Sequence, residues 1–283
     1  MKTTKNDLSG WLEAARQALT AVSDQPSLEA QALLGGKLGK SRAWIFAHLE
    51  NALSEEESNQ LDQWIDRRLQ REPLPYILGH WEFYGLDFIV TPDVLIPRPE
   101  TEQLVDLGLE WIKNHSGPSK IIDVGTGSGC IAAALAYHSP NSCLLACDRS
   151  FPALCVAKKN FISLGLENRI FTVASDLLSA IRDSFDLVCA NLPYIPSETF
   201  EYLDVALYEP GLALNGGKDG LRLIEPLLDQ ARQYINPGGR ILLEIEYSQE
   251  ESAVETARHY FPHARIELKR DLSGLPRNVI IDM

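Results

Sequence analysis

The sequence lacks any long apolar segment. Its 283 residues are 45% hydrophobic, yet no uninterrupted run approaches the roughly 18–20 residues that span a bilayer. The first seven residues, Met-Lys-Thr-Thr-Lys-Asn-Asp, lead into an amphipathic pattern without the apolar core of a signal peptide. We therefore expect no membrane association and a cytoplasmic location.

Cysteine is scarce, and its spacing fits neither a disulfide framework nor a metal site. The five cysteines are an odd number, and each lies in apolar sequence. None stands at a metal-ligand spacing from the six histidines or from nearby carboxylates. The sequence predicts buried, reduced thiols and no bound metal.

Positive charge is also in short supply. The net charge is −13, of which residues 1–75 contribute −2 and the remaining residues −11. Proteins that grip a phosphate backbone need a surface rich in Lys and Arg. The acidic larger part of the chain therefore argues against stable nucleic-acid binding.

The chain divides into three parts by pattern. Residues 1–72 predict four or five helices, among them one from Ser27 to Gly35-Gly36 and one opened by a Ser54–Glu57 capping box. Residues 73–99 contain prolines and an aromatic-rich stretch that predicts a β-hairpin linker. Residues 100–283 form the third part, whose first helix starts at Pro99 or Thr101.

From Lys120 onward, strands and helices alternate, which is typical of a doubly wound parallel sheet. Helices are expected at about 128–138, 151–164, 218–234 and 249–260. Seven strands are expected, at Lys120–Val124, Ser142–Cys147, Arg169–Val173, Phe185–Ala190, Arg240–Glu246, Arg265–Lys269 and Asn278–Met283.

The first strand runs into a glycine-rich turn, Gly125-Thr126-Gly127-Ser128-Gly129. Alternating glycines let the backbone approach a ligand while the following helix presents its amide groups. A dinucleotide fingerprint needs glycine at position 130, which is Cys130 here. The turn is a candidate cofactor site, although such loops also serve as plain strand–helix turns.

Acidic residues follow the second and third strands. Asp148 stands 19 residues after Gly129, where a carboxylate can accept hydrogens from a ribose, although it could instead cap a helix. Asp176 and Leu177 follow the third strand, where an adenine ring could be hydrogen-bonded and sandwiched; a solvated loop is the plainer alternative.

The fourth strand ends in Asn191-Leu192-Pro193-Tyr194. Ligands of open α/β sheets collect beyond the carboxyl ends of the strands at the switch point, so Asn191 should face the glycine turn. Pro193 restricts Leu192 and stiffens the turn. Carbonyl oxygens held rigidly beside a cofactor are good acceptors for a substrate NH₂ group.

These motifs resemble those of the S-adenosylmethionine-dependent amino methyltransferases, and more narrowly those of the HemK/PrmC family, which methylate N5 of a glutamine in peptide-chain release factors. Further matching segments, in order over residues 70–283, are "PRPETEQLV", "YEPGLALNGGKDGL", "NPGGRILLEIEYSQ" and "DLSGLPRNVI". The resemblance departs from the family pattern at Leu192, where the family usually has proline, at Glu246 and at Leu177.

The resemblance implies a Rossmann-like class I methyltransferase fold, with seven strands of which the last is antiparallel. It implies S-adenosylmethionine as the cofactor, S-adenosylhomocysteine as its product and the Gly-Gly-Gln glutamine as the substrate. Asn191 and the Leu192 carbonyl would accept the two amide hydrogens, Pro193 would stiffen the turn, and Tyr194 would stack on the amide. Cofactor contacts would come from residues 125–129, Asp148, Asp176, Leu177 and Asn191.

Two alternatives remain open from the sequence. The first is an N6-adenine methyltransferase that acts on rRNA or DNA. Asn191-Leu192-Pro193-Tyr194 resembles the motif of the rRNA adenine-N6 dimethyltransferases, and a flipped adenine presents a similar planar NH₂ group. A dinucleotide-dependent dehydrogenase or a non-catalytic nucleotide-binding module would share the glycine turn but not the Asn191 motif. We expect a monomer, with residues 1–72 recognising the release factor.

Overall fold

The computed structural model describes residues 7–115 and 117–283. The chain forms two compact units, Met1–His80 and Trp81–Met283. The helical domain was expected to end at residue 72. The structure instead adds a short helix, Leu74–Leu78, inside the segment expected to be only a hairpin linker. Pro73 and Pro75 lie at the start of this helix, where proline is tolerated because the first helical turn needs no backbone N–H donor.

The first unit is built from helices that share one apolar core. The Asp7 carboxylate caps the first helix by accepting from the Gly10 N–H at 2.7 Å, and the predicted Ser54–Glu57 capping box is present. Buried Trp11, among other side chains, fills the core. The helices are α1 (Leu8–Leu19), α2 (Pro26–Leu38), α3 (Arg42–Phe46), α4 (Glu55–Leu69) and α5 (Leu74–Leu78).

One predicted helix end is wrong. Helix α2 continues through Gly35-Gly36 to Leu38 and ends at Gly39, which has a left-handed φ of 61°. A β-carbon at Gly36 would lie 2.7 Å from Leu78 Cδ2, so the glycine permits close packing of α2 on α5 rather than a break. Packing against a neighbour outweighs the weak helix propensity of glycine here.

The second unit begins with the predicted hairpin and continues as the predicted strand–helix alternation. Short 3₁₀ turns lie at Pro99–Thr101, Asp204–Leu207 and Tyr247–Gln249. The strands are β1 (His80–Phe83), β2 (Leu86–Ile89), β3 (Lys120–Val124), β4 (Cys143–Asp148), β5 (Ile170–Ala174), β6 (Phe185–Ala190), β7 (Ile195–Pro196), β8 (Asn215–Gly217), β9 (Ile235–Glu244), β10 (Arg265–Arg270) and β11 (Pro276–Asp282). The helices are α6 (Glu102–Asn114), α7 (Cys130–His138), α8 (Phe151–Ser163), α9 (Ser197–Phe200), α10 (Gly211–Leu214), α11 (Ile224–Ala231) and α12 (Glu250–Tyr260).

Seven strands form one sheet in the order β10-β11-β9-β6-β3-β4-β5. Strand β11 runs antiparallel to both neighbours, and the pairs from β9 to β5 are parallel. The class I methyltransferase sheet with an antiparallel last strand is therefore confirmed. The order reverses between β3 and β6, so the carboxyl ends of these two strands define the switch point.

Side chains alternate between the two faces of the sheet and form two cores. Ile121 and Leu187 belong to one core with residues of α6, α7 and α8, while Ile122 and Val188 belong to the other with residues of α11 and α12. The expectation that every cysteine is buried is wrong for Cys143 and Cys155, which are exposed. Within residues 7–115 and 117–283, no helix is long and apolar enough to cross a membrane.

Candidate active site

The glycine turn after β3 can be made only by glycine at two of its positions. Gly125 and Gly129 have left-handed φ angles of 74° and 82°. A β-carbon would lie 2.9 Å from Leu192 Cδ2 at Gly125, and 2.6 Å from Phe161 Cε1 at Gly129. The turn therefore packs directly on the turn that follows β6 and on helix α8, as the strand order predicts.

The Asp123 side chain holds the glycine turn through two hydrogen bonds. Its Oδ2 accepts from the Thr126 hydroxyl at 2.6 Å and from the Ala132 N–H at 3.2 Å. The side chain is fully buried, and Oδ1 has no hydrogen-bond partner among the described residues. Burial raises the pKa of Asp123 to about 7, against the opposing effect of the Thr126 hydroxyl.

Asp148 ends β4 beside the glycine turn. The Gly127 N–H donates to its Oδ2 at 2.9 Å, and the Ser150 N–H donates to its Oδ1 at 2.8 Å. Each carboxylate oxygen keeps a second lone pair for a ligand hydroxyl group. Burial raises the pKa of Asp148, and backbone hydrogen bonds from Ser150 and Gly127 oppose the rise. Asp148 therefore holds the glycine turn and is not a helix cap, because the Ser150 hydroxyl caps α8.

Leu177 follows β5 in an unusual backbone conformation. Its φ is 52°, in the left-handed region that residues other than glycine seldom adopt. Its side chain is nevertheless buried, and its carbonyl accepts from Cys147 Sγ at 3.5 Å. The conformation places the apolar side chain of Leu177 at the carboxyl edge of the sheet, where Leu177 and Asp176 line a cavity.

The turn 191–194 is held by polar contacts at both ends. Asn191 Nδ2 donates to Thr101 Oγ1 at 3.0 Å. The Tyr194 hydroxyl donates to Glu244 Oε1 at 3.2 Å, and the Tyr194 carbonyl accepts from Gln249 Nε2 at 3.0 Å. Burial, together with the neighbouring Glu244, raises the pKa of Tyr194.

A single cavity brings most of the predicted site residues together. Its volume is about 960 Å³ when the open mouth is included. The predicted residues that line it are Gly125, Thr126, Gly127, Ser128, Asp148, Asp176, Leu177, Asn191, Leu192 and Pro193. Gly129 and Tyr194 do not line it. Gly129 faces Phe161, and the Tyr194 hydroxyl is directed to Glu244.

The predicted site residues leave out one wall of the cavity. Val94, Leu95 and Pro97 line it together with Arg98, from the segment that leads into α6. Arg98 Nη2 donates to Glu209 Oε1 at 2.5 Å, and the Ile96 N–H donates to Glu209 Oε2 at 3.1 Å. The nearly buried Glu209 thus ties this wall to the loop after β7. Pro92, Pro97 and Pro99 in and around this segment indicate rigidity from the sequence, but they do not indicate where the wall lies.

The described residues contain no cluster of three or more His, Cys, Asp or Glu side chains that could hold a metal ion. The sequence also predicts roles for Gly129 and Tyr194 in cofactor and substrate binding, and these stay predictions.

Comparisons with known proteins match both units. The family model of the PrmC N-terminal domain matches residues 10–79, and that of the methyltransferase small domain matches residues 105–206. The release factor glutamine methyltransferase of Koribacter versatilis is 39% identical over 271 residues, which cover 94% of this chain and 95% of the relative. That of Coxiella burnetii is 40% identical over 267 residues, covering 93% and 94%.

A solved structure shows the same fold at low sequence identity. A methyltransferase from Pyrococcus furiosus has a TM-score of 0.51 at 18% identity, covering 71% of this chain and 90% of its own. The relatives of 39% and 40% identity match both units along almost the whole length of the chain. With this coverage, the chain belongs to the release factor glutamine methyltransferase family, whose members use S-adenosylmethionine.

Proposed function

We propose that this protein transfers the methyl group of S-adenosylmethionine to the side-chain amide nitrogen of the glutamine in the Gly-Gly-Gln tripeptide of a peptide-chain release factor. The names of the full-length relatives support the substrate. The observation that carries the proposal is the orientation of Asn191. Its amino group is engaged by Thr101, so its Oδ1 is left to accept a hydrogen from a substrate amide.

The cavity has the features that an adenosyl cofactor needs. Backbone amides of the glycine turn and the free lone pairs of Asp148 suit the polar part of such a ligand. Leu177 offers an apolar surface for the adenine ring, beside the acceptor Asp176. The departure from an aromatic residue at Leu177 makes this contact aliphatic. When bound, S-adenosylmethionine supplies a methyl carbon made electrophilic by a positively charged sulfur.

The residues of the 191–194 turn would orient the amide nitrogen. An amide nitrogen is a poor nucleophile because its lone pair is delocalised into the carbonyl group. With Asn191 Oδ1 and the Leu192 carbonyl accepting its two hydrogens, the lone pair points at the methyl carbon. The new N–C bond forms as the C–S bond breaks, its electron pair stays on sulfur, and the nitrogen then loses a proton to water.

The alternative substrate is the N6 amino group of adenine. Its two hydrogens would fit the same pair of acceptors, and Leu192 in place of proline motivates it. The net charge of −11 beyond residue 75 and the full-length relatives favour glutamine. A ribosomal RNA fragment therefore serves as a second substrate in the test.

The test uses S-adenosylmethionine labelled on its methyl group. We expect label on a release factor, none on its Gln→Ala variant in the Gly-Gly-Gln tripeptide, and none on the RNA fragment. The Asn191→Ala enzyme, with the same folded fraction by circular dichroism, is the matched control and should label weakly. Equal labelling of both factors, or labelling of the RNA alone, would contradict the proposal.

The proposal also covers the roles of the domains, the oligomeric state and the location of the enzyme. Residues 1–72 would recognise the release factor, and residues 73–99, which contain α5 and the hairpin, would join them to the methyltransferase domain 100–283. The protein would act as a cytoplasmic monomer without stably bound nucleic acid. The match of residues 10–79 to a domain model of their own supports a separate role for them. Sedimentation of the enzyme alone tests whether it is a monomer, and sedimentation with a release factor tests whether the two proteins associate.

A further inference from the structure

One buried asparagine joins three segments of the second unit. Asn160 lies on α8, is fully inaccessible to solvent and does not itself line the cavity. Its Oδ1 accepts from the Ile89 N–H at 2.7 Å, and its Nδ2 donates to the Ile89 carbonyl at 3.0 Å. Nδ2 also donates to the Ser128 carbonyl at 2.8 Å. A single side chain therefore connects α8 to the last residue of β2 and to the glycine turn.

The three hydrogen bonds fix the orientation of the Asn160 amide. The backbone of Ile89 presents one donor and one acceptor to it, and Ser128 presents a second acceptor. Because an amide group has two N–H donors and one oxygen, only the present orientation satisfies all three partners. With the amide turned over, its oxygen would face two carbonyl oxygens. Asn160 thus binds Ile89 as a neighbouring strand would and holds the Ser128 carbonyl at the same time.

Both segments held by this asparagine continue into walls of the cavity. Ser128 lines the cavity as part of the glycine turn. Ile89 ends β2, and a short turn follows in which the Val94 N–H donates to the Thr91 carbonyl at 3.0 Å. The chain then becomes the wall of residues 94–98. The side chain therefore stands where two opposite parts of the cavity lining originate.

Helix α8 packs closely on the glycine turn beside Asn160. A β-carbon at Gly129 would lie 2.6 Å from Phe161 Cε1 and 3.1 Å from Ala157 Cβ. The turn cannot move toward α8 without overlap, and the hydrogen bond to the Ser128 carbonyl resists movement away from it. The position of the turn is thus set from both directions by one face of α8.

We propose that Asn160 is a positioning residue for the cofactor, which keeps the glycine turn and the wall of residues 94–98 at the separation that the cofactor needs. A ligand that contacts both parts binds tightly only while both are in place, so its affinity falls in proportion to the time they spend apart. The 191–194 turn is held by other side chains. The inference rests on the proposed function, in which S-adenosylmethionine binds in this cavity.

Hydrogen exchange in the wild-type protein, followed by mass spectrometry, gives the first test. Strand β2 does not line the cavity, yet Asn160 connects it to a turn that does. We expect S-adenosylhomocysteine to slow the exchange of β2 amides at least about fivefold. Strand β10, at one edge of the large sheet, is the control for general stabilisation and should exchange at an unchanged rate. This test needs no variant, so it applies even if substitution of Asn160 prevents folding.

Two alanine variants give the second test. Asn160→Ala removes all three hydrogen bonds, and we expect the Kd for S-adenosylhomocysteine in calorimetry to rise about 10- to 100-fold. The KM for S-adenosylmethionine should rise in parallel, while kcat at saturating cofactor stays unchanged. Asn278→Ala is the matched control, because Asn278 is equally buried but donates to Gln103 Oε1 at 2.8 Å, and neither of these two residues lines the cavity. It should lower Tm and leave this Kd unchanged.

The outcomes separate this inference from the proposed function. If the wild-type protein does not bind S-adenosylhomocysteine, the proposed function fails, and the inference fails with it. If the wild type binds but β2 exchange is unchanged, or slows only as much as that of β10, the inference alone is overturned. It is also overturned if Asn160→Ala loses kcat rather than affinity, or if Asn278→Ala weakens binding as much as Asn160→Ala.

Discussion

Replacement of Gly220 by alanine tests how tightly the 191–194 turn is held. Gly220 has a left-handed φ of 78°, and an added β-carbon would overlap both Gln249 Nε2 and the Tyr194 carbonyl oxygen. Gln249 Nε2 donates to the Tyr194 carbonyl at 3.0 Å and to the Asp219 carbonyl at 3.1 Å. Gly220→Ala must therefore displace either the Gln249 side chain or the backbone of the turn.

Gly165 supplies the matched control within the same unit. Its φ is 69°, and an added β-carbon there would meet no atom within 4 Å. Both variants put alanine in the left-handed region, which costs roughly 1–2 kcal/mol of folding free energy. Only Gly220→Ala also breaks the two hydrogen bonds of Gln249, at about 1 kcal/mol each. The difference between the two variants thus isolates the close contact from the backbone strain.

Thermal unfolding followed by circular dichroism measures this difference. A further loss of about 2 kcal/mol corresponds to a Tm roughly 4–8 °C lower for Gly220→Ala than for Gly165→Ala. The same displacement moves the Tyr194 end of the turn, so kcat should fall at least about tenfold in Gly220→Ala and stay unchanged in Gly165→Ala. Equal melting temperatures with equal kcat values would refute the reasoning.

Three further predictions concern the site and its support. Asn191→Ala removes one of two proposed acceptors and should lower kcat by about 10²–10³-fold at saturating cofactor. In the folded protein, burial raises the pKa of Asp123 from 3.8 to about 7. The unfolded chain therefore loses this proton near pH 4 and the folded chain only near pH 7, so the free energy of unfolding should fall by on the order of 4 kcal/mol as the pH rises from about 4 to about 7. Melting curves at several pH values should show that Asp123→Asn lacks this part of the decline. Arg98→Ala leaves the carboxylate of Glu209, whose side chain is 1% exposed, without its ion pair, and should lower the free energy of unfolding by about 1.5–3 kcal/mol in urea titrations.

Each of these has an outcome that would count against it. A slow Asn191→Ala enzyme whose Tm has also collapsed would show a folding defect rather than a lost acceptor. An unchanged pH dependence in Asp123→Asn would place the decline in other groups. If Arg98→Ala and Glu209→Gln in combination cost the sum of the two single changes, the pair would not be coupled.

The central sheet was predictable because its strands are continuous apolar runs between turn residues. Strand β6 has the predicted bounds, Phe185–Ala190. Strand β9 begins at Ile235 rather than at residue 240, because the Asn-Pro-Gly-Gly stretch that reads as a loop pairs irregularly with β6. The helix expected over 218–234 is confined to Ile224–Ala231, since residues 216–220 pack against the turn after β6.

The site was predictable only where it follows directly from strand order. Side chains that end adjacent parallel strands meet at one edge, which places Asp148 and Asn191 beside the glycine turn. Thr101, Glu209 and Glu244 carry no such signal, because their partners lie 90, 111 and 50 residues away in the chain. Their roles depend on loop paths and packing that local sequence patterns do not encode.

The residues that hold the 191–194 turn are synthesised at different times, because some precede the turn in the chain and others follow it. Asn191 is held by Thr101, which precedes it by 90 residues, but Tyr194 is held by Glu244 and Gln249, which follow it by 50 and 55 residues. A chain emerging from the ribosome therefore has its glycine turn and Asp148 well before the substrate turn has its supports. A fragment that stops before Glu244 would retain the cofactor-lining residues and Thr101, but it would lack both side chains that hold Tyr194. Catalytic activity is thus among the last properties that the growing chain acquires, and we expect a chain that ends before these residues to be inactive.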